Sequence, residues 1–373
     1  MNFDYNETQQ LLADSILRFA AKDYDFDARK RIVNSAEGWS KEVWRTMADM
    51  GLLGIPFGAD HGGFGGGAVD LMNVMESIGA VLIVEPFLPT IGLGAQFVAR
   101  AGTVAQRDAI LPAVVEGKLT MAFAHTEKHA RYDLSQVTTR AMRSGNGWTL
   151  TGEKLVVMGA PMADRLVVSA RTPAGISLFL VDRTAPGLTI KSYRTVDSAR
   201  AGDVTLHNVF VDAQSMLGAD GGALPVIESV TDYAIALLCA EAVGAMKYAN
   251  DATLEYLKTR KQFGVPIGTF QALQHRMVDM VVSYEQAKSM ACLACTKIDN
   301  ATDAKERARA VAAAKFRVAE ACRHISQEAI QLHGGMGMTE EMKVSHTFRR
   351  LTMIAQQFGD ADHHLARYGA LAS

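Results

Sequence analysis

The sequence predicts an α+β chain with an N-terminal helical domain, a central antiparallel β domain and a C-terminal four-helix bundle. Three observations carry this. Apolar residues recur at helical spacing through the first part of the chain. Short β-branched runs separated by turn residues follow, with no helices between them. Helical periodicity then returns and persists to the end. The implied boundaries are 1–116, 117–224 and 225–373. Strands in an unbroken series exclude an alternating βαβ chain, and with it a Rossmann dehydrogenase.

In the first segment Leu11, Leu12, Ile16 and Phe19 share one helical face, and Thr8 is the expected cap. Ser40 is the expected N-cap of a helix over 41–50, which stops at Gly51. Further helical pattern covers 69–78 and 95–113. Between them lies a glycine run with a formal GxGxxA, Gly63 to Ala68. The residues before it form a turn with Pro56, Gly58 and Asp60 rather than a strand, so the run reads as a loop and not as a dinucleotide fingerprint.

Strands are expected at 148–150, 155–157, 165–170, 176–181, 188–191 and 204–211. The breakers between them are Asn146-Gly147, Pro173-Ala174-Gly175, Pro186-Gly187 and Ala201-Gly202-Asp203. Long helices follow over 226–259, 270–299 and 303–333, the last stopping at Gly334-Gly335, and a fourth starts near Glu340. Successive long helices of this kind form a bundle.

Composition narrows the function. Of 373 residues 49% are hydrophobic, enough for a large core, and the formal net charge is −2. That balance gives no attraction to nucleic acid or to an anionic membrane. No signal-like start and no apolar run of about 18 residues occurs, so no membrane insertion and a cytoplasmic location are expected. Cys292 and Cys295 form a CxxC, but no second pair stands at zinc spacing, so the four cysteines imply no metal. Asp360, Asp362, His363 and His364 are irregularly spaced and read as a solvated helix start. Glu127 reads as a surface or cap carboxylate.

Several segments together resemble the acyl-CoA dehydrogenase family. Gly51-Leu52-Leu53-Gly54-Ile55 and His61-Gly62-Gly63-Phe64-Gly65 are similar to its GLLGI…YGGxG. Ala122-Phe123-Ala124-His125-Thr126-Glu127 with Asp133 resembles a degraded A-x-TEP…AGSD, and Thr151-Gly152-Glu153-Lys154 resembles its NGxK turn. Arg260-Lys261-Gln262-Phe263-Gly264-Val265-Pro266-Ile267 with Phe270-Gln271 is close to RxQFGxPI…FQ. Gln331-Leu332-His333-Gly334-Gly335-Met336-Gly337 is close to QxxGGxG. These matches run through almost the whole chain in order.

The resemblance implies FAD-dependent oxidation of an acyl-CoA thioester in an oligomer whose flavins lie across subunit interfaces. It implies that Arg260, Phe263, Gln271, Gln331, Gly334 and Gly335 hold the ADP half of a neighbour's FAD. The chemistry of these residues agrees: a guanidinium fork suits pyrophosphate oxygens, glutamines pair with polar edges, and Gly334, Gly335 and Gly337 let backbone amides approach a phosphate. Alone, Arg260 would read as a solvated cation at a helix end.

The other half of the site departs from the family pattern. Where the family has W-I-T beside the flavin ring, this chain has Val156-Val157-Met158. The expected catalytic glutamate falls on Phe358, which has no proton acceptor, and Asp360 takes the place of a threonine turned toward the flavin. A minority position for the base falls on Ala234 or Ile235; Asp232 is the nearest carboxylate, and Glu241 lies about two turns on.

The chain therefore resembles the small, base-lacking subunit of an α2β2 heterotetramer of the kind that acts in steroid side-chain or dicarboxylyl-CoA degradation. The expected partner is a homologous base-carrying subunit, which also holds most of the acyl-CoA site. Two alternatives stand beside this: a self-sufficient homotetramer with an unrecognised base, and a flavin-free scaffold of the same fold.

Overall fold

The computed structural model describes residues 6–372 and gathers them into two compact units. One comprises the chain up to Arg31, Gly67–Ile83 and everything from Ile235 onward; the other comprises Ile32–Gly66 and Val84–Ala234.

The first unit is helical. It contains α1 (Glu7–Asp23) and α4 (Ala68–Val81), most of α2 (Phe26–Asn34), the greater part of α7 (Leu224–Thr259), and α8 (Gln271–Asn300), α9 (Ala304–His333), α10 (Lys343–Gln356) and α11 (Ala361–Ala372). Asn6, not Thr8, caps α1: its side chain accepts from Gln9 N, and the Gln9 side chain returns the bond. The helix α2 escaped the sequence reading, because nine residues with five charged or polar ones carry little apolar period. α4 and α7 cross at glycines: a Cβ on Gly79 would overlap Glu241 O, and one on Gly244 would overlap Glu76 O. The expected fourth bundle helix is two helices, because Phe358 and Gly359 take left-handed conformations between them.

The second unit is built on an eight-stranded sheet, with α3 (Lys41–Asp49), α5 (Ala95–Ala101) and α6 (Val104–Val115) in the same unit. Its strands are β1 (Met121–Ala124), β2 (Arg140–Ser144), β3 (Gly147–Met158), β4 (Arg165–Thr172), β5 (Gly175–Asp182), β6 (Leu188–Arg194), β7 (Arg200–Asp212) and β8 (Met216–Leu217). The order is β6-β7-β3-β2-β4-β5-β8, with β1 beside β4. Most pairs are antiparallel, but β1 lies parallel to β4, so the sheet is mixed. A two-stranded ribbon of β9 (Lys261–Gln262) and β10 (Val265–Pro266) belongs to the helical unit.

Two expected breaks are absent. Residues 148–157 form one strand, and Thr151-Gly152-Glu153-Lys154 is not a turn but part of β3, with register shifts on either side. Ala201-Gly202-Asp203 is likewise strand, because Gly202 lies close against Ile190 of the neighbouring β6. Conversely, the expected helix over 95–113 breaks at Gly102, and Thr103 caps its second half by accepting from Gln106 N. Before it, Leu88–Gly94 forms a π-helix, where Thr90 bonds both the amide and the carbonyl of Met121.

The β core is Trp148, Leu150, Leu166, Val168, Phe179, Val204 and their neighbours, with Trp148 edge-on to Phe179 at 5.8 Å. It encloses a polar network. Lys154 Nζ donates to Glu127 Oε1 at 2.7 Å, Ser169 Oγ at 3.0 Å and His125 O at 3.2 Å, and His125 Nδ1 meets Ser169 Oγ at 2.9 Å. Glu127 is thus not a surface carboxylate: it is buried, and it also accepts from the Thr138 and Thr139 amides. Burial pushes its pKa up, but Lys154 and these bonds outweigh that and bring it down to about 2. Burial, and then Lys154, holds His125 down to about 3.

In the helical unit, burial and Lys315 hold His364 down to about 3 as well. Both imidazoles are neutral when folded, while an unfolded imidazole takes up a proton near pH ~6.5. The unfolded state therefore binds more protons as pH falls from that value, and stability falls with it by up to about 1.4 kcal/mol per pH unit for each group. Urea unfolding should show a midpoint that declines steadily below pH ~6.5. His364→Gln, whose amide still reaches a carbonyl, should flatten that decline, and an unchanged slope would contradict the assignment.

Candidate cofactor site

All six expected cofactor residues lie in the helical unit, where α7 ends, α8 begins and α9 ends. Arg260 follows the last residue of α7, and its carbonyl accepts from Ile267 N across the β9–β10 ribbon. Phe263 and Gly264 form the ribbon's tip with φ of 55° and 82°, the left-handed pair that a two-residue hairpin requires. Such a conformation is uncommon for phenylalanine, and the side chain stands 92% exposed. Its ring meets Phe270, edge-on at 6.2 Å, just before Gln271 opens α8.

Two contacts hold this end of the bundle together. Tyr256 of α7 stacks on His333 of α9 at 4.5 Å, and Arg276 of α8 pairs with Glu328 of α9 at 2.6 Å. Gln331, Gly334 and Gly335 therefore sit at the end of α9 that Tyr256 fixes; all three are exposed, as are Arg260 and Gln271.

The glycines divide by role. Gly334 has φ 59° and ψ −144°, a conformation essentially reserved for glycine, and ends α9. A Cβ on Gly334 or Gly335 would meet nothing within 4 Å, so the backbone there is open to an approaching ligand. Gly337 differs from the expectation: it is buried, and a Cβ would press on Ile330 O and His333 Cβ at 3.0 Å. It serves packing, not a ligand cradle. This donor set fits the ADP half of a dinucleotide: a guanidinium fork, two amides, an exposed aromatic and an unobstructed backbone.

The positions considered for a base are all accounted for. Phe358 is half-buried with φ 58° in the turn between α10 and α11. Lys315 of α9 is fully buried and donates to Ile354 O at 2.8 Å, Ala355 O at 3.2 Å and Gly359 O at 2.9 Å. His364 is also fully buried, with Nε2 on Phe358 O at 3.0 Å, so it is no part of a solvated helix start. Asp360 accepts from His363 N and so turns to the first turn of α11. Glu241 is buried in a two-point pair with Arg350, at 2.6 and 2.8 Å. Ala234 and Ile235 are buried apolar residues of α7, and Asp232 of the same helix is fully buried.

In the β unit, Val156 lies in the β3 bulge with φ 52° and is half exposed, while Val157 turns into the core. Asp203 accepts from Val156 N and from the Tyr193 hydroxyl. The bulge thus presents an aliphatic side chain with no ring and no hydroxyl. Sequence reasoning missed Lys315 and the Tyr256–His333 stack, and it read the buried His364 as solvated. A lysine among Ala-rich helical residues was the one available signal for the first.

Comparison with known proteins agrees with this architecture. Residues 6–118, 122–209 and 224–367 match the N-terminal, middle and C-terminal domains of acyl-CoA dehydrogenase. The chain belongs to the acyl-CoA dehydrogenase family, a family of oxidoreductases. It is 30% identical over 370 residues to acyl-CoA dehydrogenase FadE12 of Mycobacterium tuberculosis, covering 95% of this chain and 93% of that one. Among solved structures it is similar to a variant of the Tcur3481-Tcur3483 steroid ACAD, at 30% identity and TM-score 0.89, covering 98% of each chain. It is also similar to the ChsE4-ChsE5 complex from Mycobacterium tuberculosis, at 25% identity and TM-score 0.91, covering 99% of this chain and 98% of that one. FAD complexes are among its structural neighbours. Among the described residues no helix is long and apolar enough to cross a membrane, and no three His, Cys, Asp or Glu side chains group to hold a metal ion.

The glycine roles are separable by stability. Gly337→Ala should cost about 1–2 kcal/mol in urea unfolding, while Gly335→Ala should stay within about 0.5 kcal/mol of wild type. Equal effects at the two positions would contradict the division.

Proposed function

We propose that this chain is the base-lacking subunit of a heteromeric, FAD-dependent acyl-CoA dehydrogenase. The reading rests on one combination: an exposed donor set at Arg260, Phe263, Gln271, Gln331, Gly334 and Gly335, with phenylalanine at the base position. When bound, FAD supplies a hydride acceptor for the β-carbon of an acyl-CoA thioester. In this reading Arg260 pairs with pyrophosphate oxygens, and the open backbone at Gly334 and Gly335 admits the ADP moiety without a Cβ in the way. Phe263 covers an apolar face of the cofactor, and its exposure is what a partner would remove. Gln271 and Gln331 complete the polar contacts.

The α-proton is removed by a carboxylate of a homologous partner, since the turn at Phe358 holds no acceptor and Glu241 is bound to Arg350. Similarity to the steroid ACAD and to the ChsE4-ChsE5 complex supports a two-chain assembly and a steroid side-chain thioester as substrate; a dicarboxylyl-CoA is the second candidate.

Purified alone, the chain should be colourless and inactive, and it should gain FAD and thioester oxidation on co-expression with its base-carrying partner. Yellow protein with one FAD per chain and activity by itself would sink this reading and favour a self-sufficient enzyme using a base such as Asp232. No flavin even with the partner would favour the scaffold alternative. In the heteromer, Arg260→Ala should weaken FAD retention by about tenfold or more, measured by flavin absorbance after dialysis, because a charge-assisted bond contributes about 1.5–3 kcal/mol.

A further inference from the structure

The helix α8 is apolar on two sides. Met277, Met280, Ala287 and Ala291 pack into the helical unit. On the opposite side Val278, Val281 and Val282 are 58%, 43% and 48% exposed. Their spacing of i, i+3 and i+4 makes them one continuous stripe. The exposed side of the neighbouring α9 carries Lys305, Arg309, Glu320, Arg323 and Gln327 instead. Valine is a poor residue for a solvent-facing helical position, because its branched Cβ loses rotamer freedom there and its methyl groups stay in water. Three of them on one stripe mark a surface that another molecule covers.

The residues around the stripe select that molecule. With residue 280 as centre, positions at equal distance on either side match in chemistry. Val278 answers Val282, Gln274 answers Gln286, and His275 answers Glu285; all six are exposed. An imidazole N–H and a carboxylate form a hydrogen bond, and so do two amides. Among the described residues, the His275 and Glu285 side chains have no hydrogen bond or ion pair within the chain. In an antiparallel helix pair related by a two-fold axis, two positions equidistant from the axis stand level with each other across the interface. A helix face that matches itself in this way fits a second copy of itself, and an unrelated partner would not require the symmetry.

We propose that the exposed face of α8 between His275 and Glu285 is a two-fold docking surface for a second copy of this chain. Val278 packs on the copy's Val282, and Val281 lies beside its own counterpart across the axis. At each end of the contact His275 of one copy donates to Glu285 of the other. The contact is about 15 Å long, from a rise of about 1.5 Å per residue. Asp279 is exposed and lies about 100° round the helix from Val278, so it stays at the rim, in water. Gln271 opens α8 one turn before His275, outside the contact, and remains available to the cofactor. A single helix face is small for a specific interface, so the dimer is a weak one.

Sedimentation of the full-length chain over a micromolar concentration series, without flavin or partner, tests this. The chain should pass from monomer to dimer. Val278→Asp places a carboxylate in both valine pairs at once and should weaken the dimer about a hundredfold. His275→Glu should weaken it about tenfold, and adding Glu285→Lys should restore the wild-type association. The two positions are about 15 Å apart on one helix, too far for direct contact within a chain, so the rescue acts between copies. Thermal unfolding followed by circular dichroism should not move, because all these positions are exposed. A chain that stays monomeric until a base-carrying subunit is added overturns the second copy as occupant. A dimer that survives Val278→Asp overturns the surface. A His275→Glu defect that Glu285→Lys leaves unrepaired overturns the antiparallel register. None of these readouts passes through the flavin, so they stand apart from the function proposed above.

Discussion

Lys315 carries its ammonium into the interior of the helical unit and spends its three donors on main-chain carbonyls. Burying a charge this way is costly, and the cost is offset because Ile354 O and Ala355 O belong to the negative end of α10. The third bond, to Gly359 O, reaches past the helix end into the following turn. The path of that turn is therefore set by α9, where Lys315 resides, and not by the turn's own residues. His364 completes the constraint from α11 by binding Phe358 O. A Cβ at Gly359 would run into His363 and His364, which leaves glycine as the residue that fits. The α10–α11 corner is fixed from three sides, and Phe358 rides on it.

The other end of the same unit is organised by opposite means. There Tyr256, His333, Arg276 and Glu328 tie three helix ends together by contacts between side chains, and the backbone beyond them is left open. Gly334 and Gly335 extend into free space, and Phe263 is held out on a two-residue turn. Exposed phenylalanine in a left-handed conformation is unfavourable in isolation. Its persistence beside an arginine, two glutamines and an unobstructed glycine backbone is what a surface awaiting a ligand and a neighbour requires. Among the described residues four apolar ones take the left-handed conformation, Leu82, Val156, Phe263 and Phe358, and the last three lie in segments that the family resemblance ties to the flavin or the base.

Much of this was legible in the residues. The α, β, α order follows from periodicity, and the QxxGGxG-like segment was placed at the helix end where the structure has it; the RxQFG-like segment was placed between two helices, without the ribbon it forms. Errors were local. Gly152 and Gly202 read as breakers, but cross-strand partners overrode their propensity and kept them in strands. Glu127 read as exposed because its partner Lys154 is 27 residues away. Gly337 read as part of a phosphate cradle because a motif records glycine without recording why.

The sequence by itself determined the α, β, α order, the long helices of the C-terminal part, and that the position expected to hold a base holds phenylalanine. Those follow from local pattern and side-chain chemistry, which travel with the residue. Only the tertiary structure decided that α9 supplies the cap of α10, that Glu127 is an interior ion-pair partner, that His364 is neutral and buried, and that Arg260 and Gly334 share one exposed end of the bundle. Each of these depends on residues far apart in sequence meeting in an environment with little water. Burial and pairing are properties of that environment and not of the residue types.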